Sequence, residues 1–217
     1  MKRDLRIDFL RGIVLLLIVL DHGRDNPVHK MFADGSKSIT AIVTCWGYCD
    51  AAHAFIFLSG LVCGMVYWRL MLRQGAPAAV KKAFKRVGQL YAMHLTTLAV
   101  CAGIVFLAHA SGKLDPVKVG MGPFVTEPVK AGVNALMLTY TPWLMDILKM
   151  YIILLLMLPV MLMVYRWRRW VAIGLSCAMY VFAQRCSDVV LPVYPQGQQW
   201  FWNPLAWQLL FFGGVWL

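Results

Sequence analysis

Charge is what this sequence has least of. Only 14% of its 217 residues are Asp, Glu, Lys or Arg, against roughly 25% in soluble domains, and that shortfall excludes an ordinary water-soluble globule. Acidic residues are the scarcer kind, 10 against 21 Lys and Arg. Pro-rich, Gly/Ser-rich and repeated tracts are missing, which excludes linker-joined or repeat architectures and leaves one domain over 1–217. The six Cys are scattered through or beside apolar stretches, which excludes a dense disulfide scaffold and reads them mostly as packing residues. No Ala-x-Ala-like site follows the first apolar run, Ile13 to Leu20, so that run is a retained span and not a cleaved signal peptide.

Apolar sequence fills the space that charge leaves. Hydrophobic residues make up 60% of the chain and the mean hydropathy is +0.65. Several apolar runs approach the roughly 20 residues that a bilayer-crossing helix requires. The expected fold is an all-α, polytopic transmembrane bundle of five spans and an incomplete sixth. The spans are expected at about 7–22, 51–70, 88–110, 146–165 and 170–183, with the sixth beginning near Leu205. Because that last run stops at Leu217, in what would be the middle of a hydrocarbon-buried helix, the sequence is expected to be C-terminally truncated. Val129 to Tyr140 is apolar but short, so it reads as interfacial or re-entrant.

The formal net charge of +11 would point to nucleic acid in a soluble chain, but here the basic residues flank the spans and set orientation. Stretches 1–6, 69–86 and 166–169 hold 12 of the Lys and Arg, whereas the much longer stretches 23–50, 111–145 and 185–204 hold seven. The N-terminus is therefore expected in the cytoplasm, and the partner is the bilayer, with no nucleic acid.

Polar residues inside apolar spans are costly and point to function. Asp8 and Arg11 lie one turn apart in the first span, and His22 follows Arg11 by eleven residues. Eleven residues are close to three turns and about 16 Å of axis, so Arg11 and His22 share a helix face. The alternative is an interfacial Asp8–Arg11 ion pair with His22 ending the helix in water. Asp50 and His53 open the second span on the side where His22 ends the first. A histidine held by a carboxylate acts as general base toward a hydroxyl, although a solvated helix start explains the same residues. Cys45, Cys49 and His53 fall at four-residue intervals, but three ligands without a fourth make no metal site, and no metal is expected. Lys81, Lys82, Lys85 and Arg86 open the third span. They suit the phosphates of a cytosolic nucleotide-bearing donor, or positive-inside anchoring. Asp146 and Lys149 stand at i, i+3 in the fourth span, as a buried pair or part of an acceptor site. Asn203 adds a polar group before the sixth span, on the same outer face.

Arg11-x10-His22, Phe57-Leu58-Ser59-Gly60 and the basic opening of the third span together resemble the acyltransferase-3 superfamily of integral-membrane acyltransferases. The resemblance is to its OpgC branch in particular. It extends through Asp8-Phe9-Leu10-Arg11-Gly12, Asp50-Ala51-Ala52, Met145-Asp146-Ile147-Leu148 and Asn203-Pro204-Leu205-Ala206-Trp207-Gln208. It implies transfer of an acyl group, succinyl in that branch, from cytosolic acyl-coenzyme A to a glucan or other carbohydrate hydroxyl outside the bacterial inner membrane. The acyl-coenzyme A is the donor substrate, and no bound cofactor is implied. His22 then works at the acyl transfer and Arg11 supports the donor, with Asp8, Asp50 and His53 as further catalytic candidates. Lys81, Lys82, Lys85 and Arg86 stand where the superfamily carries Arg-x-x-Arg, and Asp146, Lys149 and Asn203 are acceptor-side candidates. The competing classes are a proton-coupled carrier, with Arg11, His22, His53, His94 and Asp146 lining a pathway, and a non-catalytic membrane subunit. No inverted repeat supports the carrier.

Overall fold

A computed structural model describes residues 5–24, 45–46, 49–140, 142, 146–186, 193–195 and 202–217. The described residues are almost entirely helical. In chain order the helices are α1 (Leu5–Arg24), α2 (Ala51–Cys63), α3 (Arg69–Gln74), α4 (Ala76–Ala110), α5 (Gly122–Thr126), α6 (Pro128–Leu136), α7 (Asp146–Trp167), α8 (Arg169–Arg185) and α9 (Pro204–Val215). The extended structure is one antiparallel ladder, β1 (Cys45–Trp46) with β2 (Cys49–Asp50). Three helical stretches are long and apolar enough to cross a membrane: Ala51–Gln74, Ala76–Ala110 and Asp146–Trp167. The chain is a helical membrane protein. Helix α1 falls at the expected first span with its charges intact, while α8 and α9 have 17 and 12 residues.

The ends of these helices follow local chemistry. Gly75 takes φ +84° between α3 and α4, a conformation that side-chain-bearing residues avoid, and Pro77 then fits the donor-free first turn of α4. Asn203 Oδ1 accepts from the backbone N–H of Leu205 at 3.0 Å, capping α9 ahead of Pro204. Arg168, extended at φ −151°, separates α7 from α8.

Contacts divide the chain into two compact units, 1–69 with 209–217, and 70–208. In the first unit α1 packs along α2, and α2 lies backbone to backbone with the later part of α9. A Cβ on Gly60 or Gly64 would overlap the carbonyl of Phe211 or Val215, and one on Gly214 would overlap that of Phe57. Small residues four apart permit this approach, as in other membrane helix pairs. A π-helical segment, Gly64–Trp68, carries α2 into α3.

In the second unit α4 packs against α7, and α7 against α8. The buried face of α4 is one stripe, Ala79, Ala83, Leu90, His94, Leu98 and Val105, while Met93, Val100, Ile104 and Leu107 are exposed on the opposite side. An apolar outward face of this kind suits lipid. Helix α4 has 35 residues, about 52 Å at 1.5 Å per residue, well beyond a hydrocarbon core of about 30 Å. The expected third span, 88–110, is thus its later two-thirds. After α4 the chain forms a small cluster in which Met121, Ala131, Ala135 and Tyr140 pack on Leu98 and Val105. Its nine-residue α6 is about 13 Å long, too short to cross.

Candidate functional site

Two groups of buried polar atoms stand out, one in each unit. In the first, Arg11 projects from α1 against α2, its guanidinium carbon 5.8 Å from the centroid of the Phe55 ring. Arginine lies well on aromatic faces, which carry negative potential and accept its weakly hydrated plane. Its Nε is buried and has no hydrogen-bond partner. Large apolar neighbours on α1, including Leu5, Phe9, Leu16 and Val19, are exposed. The helix therefore sends its aliphatic side chains outward and turns this cation toward protein. One turn beyond Phe55, on the same face of α2, Ser59 is wholly buried with its Oγ unbonded. A buried guanidinium edge and a buried hydroxyl, both with unused hydrogen-bonding capacity, can receive an anionic or carbonyl-bearing group.

The other expected catalytic residues in this unit are distributed as follows. Asp8 and His53 are both half-buried and both engaged in interactions. His22 belongs to the last turns of α1 and Asp50 to β2, but their side chains lie outside the described residues, as do those of Cys45 and Cys49. Phe55 carried no signal in the sequence, where it reads as one more lipid-compatible aromatic. Only its position against Arg11 gives it a role.

In the second unit, Lys149 Nζ lies 3.1 Å from Asp146 Oδ1, with the lysine side chain only 3% exposed. The pair expected at i, i+3 thus exists. An ammonium this far from water requires such a partner. From α4, His94 is within electrostatic range of both residues. It is 1% exposed, and its Nε2 has no hydrogen-bond partner. In the sequence His94 stands out only as a residue of a carrier pathway. Its four-residue spacing from Leu90 and Leu98, both buried, marks it as inward-facing.

Lys81, Lys82, Lys85 and Arg86 are all exposed, and Arg86 Nη1 donates to Gln89 Oε1 at 3.4 Å. They form a surface of positive charge. Asn203, expected on the acceptor side, has its side-chain oxygen committed to the α9 cap. A further polar contact that sequence reasoning did not single out joins α8 to Gln208. Ser176 Oγ donates to Gln208 Oε1 at 2.6 Å, and Gln208 Nε2 donates to the Ser176 carbonyl at 2.8 Å.

No curated protein and no solved structure matches the chain. The sequence model of the OpgC protein family matches residues 3–217, nearly the whole length, and the protein belongs to that family.

Proposed function

We propose that this protein is an integral-membrane O-acyltransferase of the acyltransferase-3 type. In this reading it moves an acyl group, succinyl in the branch it resembles, from cytosolic acyl-coenzyme A to a glucan or other carbohydrate hydroxyl across the bacterial inner membrane. The N-terminus is cytoplasmic, α1 and α8 complete a set of five spans, and α9 begins a sixth. The observation that carries the reading is Arg11, beside the Phe55 ring with a buried Nε that has no hydrogen-bond partner among the described residues. Such groups are rare in membrane helices and point to function where they occur.

The chemistry assigns roles to the remaining residues. Lys81, Lys82, Lys85 and Arg86 attract the donor's phosphates at the cytoplasmic surface, and Arg11 steadies its acyl end. His22, oriented by a carboxylate such as Asp50, takes the proton of the acceptor hydroxyl as its oxygen attacks the thioester carbonyl carbon. The C–S bond breaks, an ester forms, and the coenzyme A thiolate leaves and is protonated. In the variant of this route the imidazole first carries the acyl group itself. Asp8 and His53 are further catalytic candidates, and Asp146 and Lys149 are acceptor-side candidates.

Replacing His22 with Ala is expected to abolish carbohydrate acylation while the protein remains folded in the membrane. Arg11→Gln removes a charge-assisted contact of roughly 1.5–3 kcal/mol, about tenfold to hundredfold in rate. Unchanged acylation in both folded variants would reject the assignment.

A further inference from the structure

We infer that His94, together with the Lys149–Asp146 pair, forms a second polar site inside the 70–208 unit, and that it binds and positions a hydroxyl group of the carbohydrate acceptor. The identity of that hydroxyl rests on the acyl-transfer reading above, whereas the existence of the site rests on the geometry alone.

His94 interrupts an otherwise apolar stripe, Leu90, Leu98 and Val105, on the face that α4 buries. A leucine there would pack without any polar debt, so a histidine whose Nε2 lacks a partner calls for a ligand or a water. From the facing helix, Lys149 is equally enclosed, and Asp146 already balances its charge at 3.1 Å. The charges that Asp146 and Lys149 bring from the facing helix therefore offset one another and leave a dipole. A carboxylate or phosphate seated there would bring an unbalanced charge into a low-dielectric interior. A hydroxyl brings none. Its proton is donated to Nε2 of the neutral imidazole, and its oxygen lone pairs face the field of the neighbouring ammonium. Asp146 is 27% exposed whereas Lys149 is 3% exposed, so the pair runs from the surface of the unit toward its interior. Water satisfies the same nitrogen, and the test must separate it from a sugar.

The experiment uses the full chain in lipid nanodiscs. Diethyl pyrocarbonate acylates accessible imidazole nitrogens, and mass spectrometry reads each histidine separately. Labelling of His94 is expected, and D-glucose is expected to slow it at least several-fold in a saturable way, while sodium chloride of equal osmolality does not. Absence of labelling overturns the inference, because a site that admits a sugar hydroxyl admits the smaller reagent. Labelling that glucose leaves unchanged overturns it too, and assigns the nitrogen to water.

Acyl-transfer kinetics supply the second arm. His94→Leu is expected to raise the acceptor KM at least tenfold with the donor KM unchanged, and His94→Gln to restore part of the loss. An unchanged acceptor KM in a folded His94→Leu protein contradicts the inference even though transfer itself stands. If the wild-type protein transfers no acyl group, the acyl-transfer reading falls, and protection by glucose alone decides the site.

Discussion

Ser176 and Gln208 hold each other by two hydrogen bonds in opposite directions. The serine hydroxyl donates to the amide oxygen at 2.6 Å, and the amide nitrogen donates back to the serine carbonyl at 2.8 Å, with both side chains wholly buried. Gln208 Nε2 also reaches the Leu205 carbonyl at 3.2 Å. Inside a membrane protein each such bond contributes about 0.6 kcal/mol on average and at most about 1.7 kcal/mol. Ser176→Ala keeps the Ser176 carbonyl, so a double-mutant cycle with Gln208→Leu isolates the hydroxyl-to-amide bond and should return a coupling of about 0.6 kcal/mol in denaturant titrations of the reconstituted protein. Additive effects would show that bond to be energetically idle.

The backbone contact between α2 and α9 depends on hydrogen as a side chain. An added methyl group on Gly60 meets the Phe211 carbonyl, whereas one on Gly12 meets nothing within 4 Å. Gly60→Ala is accordingly expected to destabilise the protein by roughly 1–3 kcal/mol, the usual cost of overpacking. Gly12→Ala should match or slightly exceed the wild type, since alanine favours helix. Thermal denaturation of the two variants in one detergent makes the comparison, and equal melting temperatures would disprove the contact.

Much of this fold was legible because hydropathy and helicity coincide inside lipid. Residues 51–70, 146–165 and 170–183 were expected as spans and fall within Ala51–Gln74, Asp146–Trp167 and Arg169–Arg185. Where the two properties part, the reading shortened. Lys81 to Arg86 belong to helix α4 but not to an apolar run, so a hydropathy reading begins that helix near Gly88, twelve residues after Ala76. Arg11 and Lys149 were legible as candidates because charge in an apolar span is conspicuous. Phe55 was not, and Ser59 and Gln208 were legible only as parts of short motifs, because each gains its contact from a neighbour distant in sequence. Asn203 shows the converse. Its polarity drew attention as an acceptor group, while its place before Pro204 is that of a helix cap.

Helix α6 presents a second stripe with a distinct prediction. Val129, Val133, Leu136 and Met137 are exposed at helical spacing, opposite the buried Ala131 and Ala135. Such a short amphipathic helix lies in the membrane interface with its apolar side toward the acyl chains. A tryptophan introduced by Val133→Trp should then be quenched by lipids brominated high on the chain, and less by those brominated near its end. No quenching by either would place α6 in water.

The connection beyond α6 is sensitive to pH at both extremes. Tyr194 donates its hydroxyl to Glu127 Oε2 at 2.7 Å, and Lys130 donates to Oε1 at 2.9 Å. The phenol first and the lysine second hold the Glu127 carboxyl below its ordinary pKa of 4.5. The stabilisation from a lowered carboxyl is complete above that ordinary value and is lost as pH falls through the lowered one. Hydrogen exchange over 122–140, corrected for intrinsic rate, should rise on acidification in the wild type and show a weaker dependence in Tyr194→Phe, where Lys130 alone still holds the carboxylate.

On the alkaline side, burial first and the nearby Tyr194 second push the Tyr140 hydroxyl up to about 12 from 10.0. That hydroxyl donates to the Gly120 carbonyl. Its contribution is complete below pH 10.0 and is lost as pH rises through about 12. Tyr140→Phe should remove a step near pH 12 from the phenolate absorbance titration, and a titration unchanged by that substitution would contradict the assignment.

Acyl transfer by this protein is a covalent event at the membrane. Inverted membrane vesicles containing the protein and a lumenal glucan, given radiolabelled succinyl-coenzyme A from outside, provide the direct measurement. Label should appear in alkali-labile ester linkage to the glucan, and Arg11→Gln vesicles with equal protein should show at least a tenfold lower rate. Free label accumulating in the lumen without ester formation would contradict acyl transfer and make the protein a carrier.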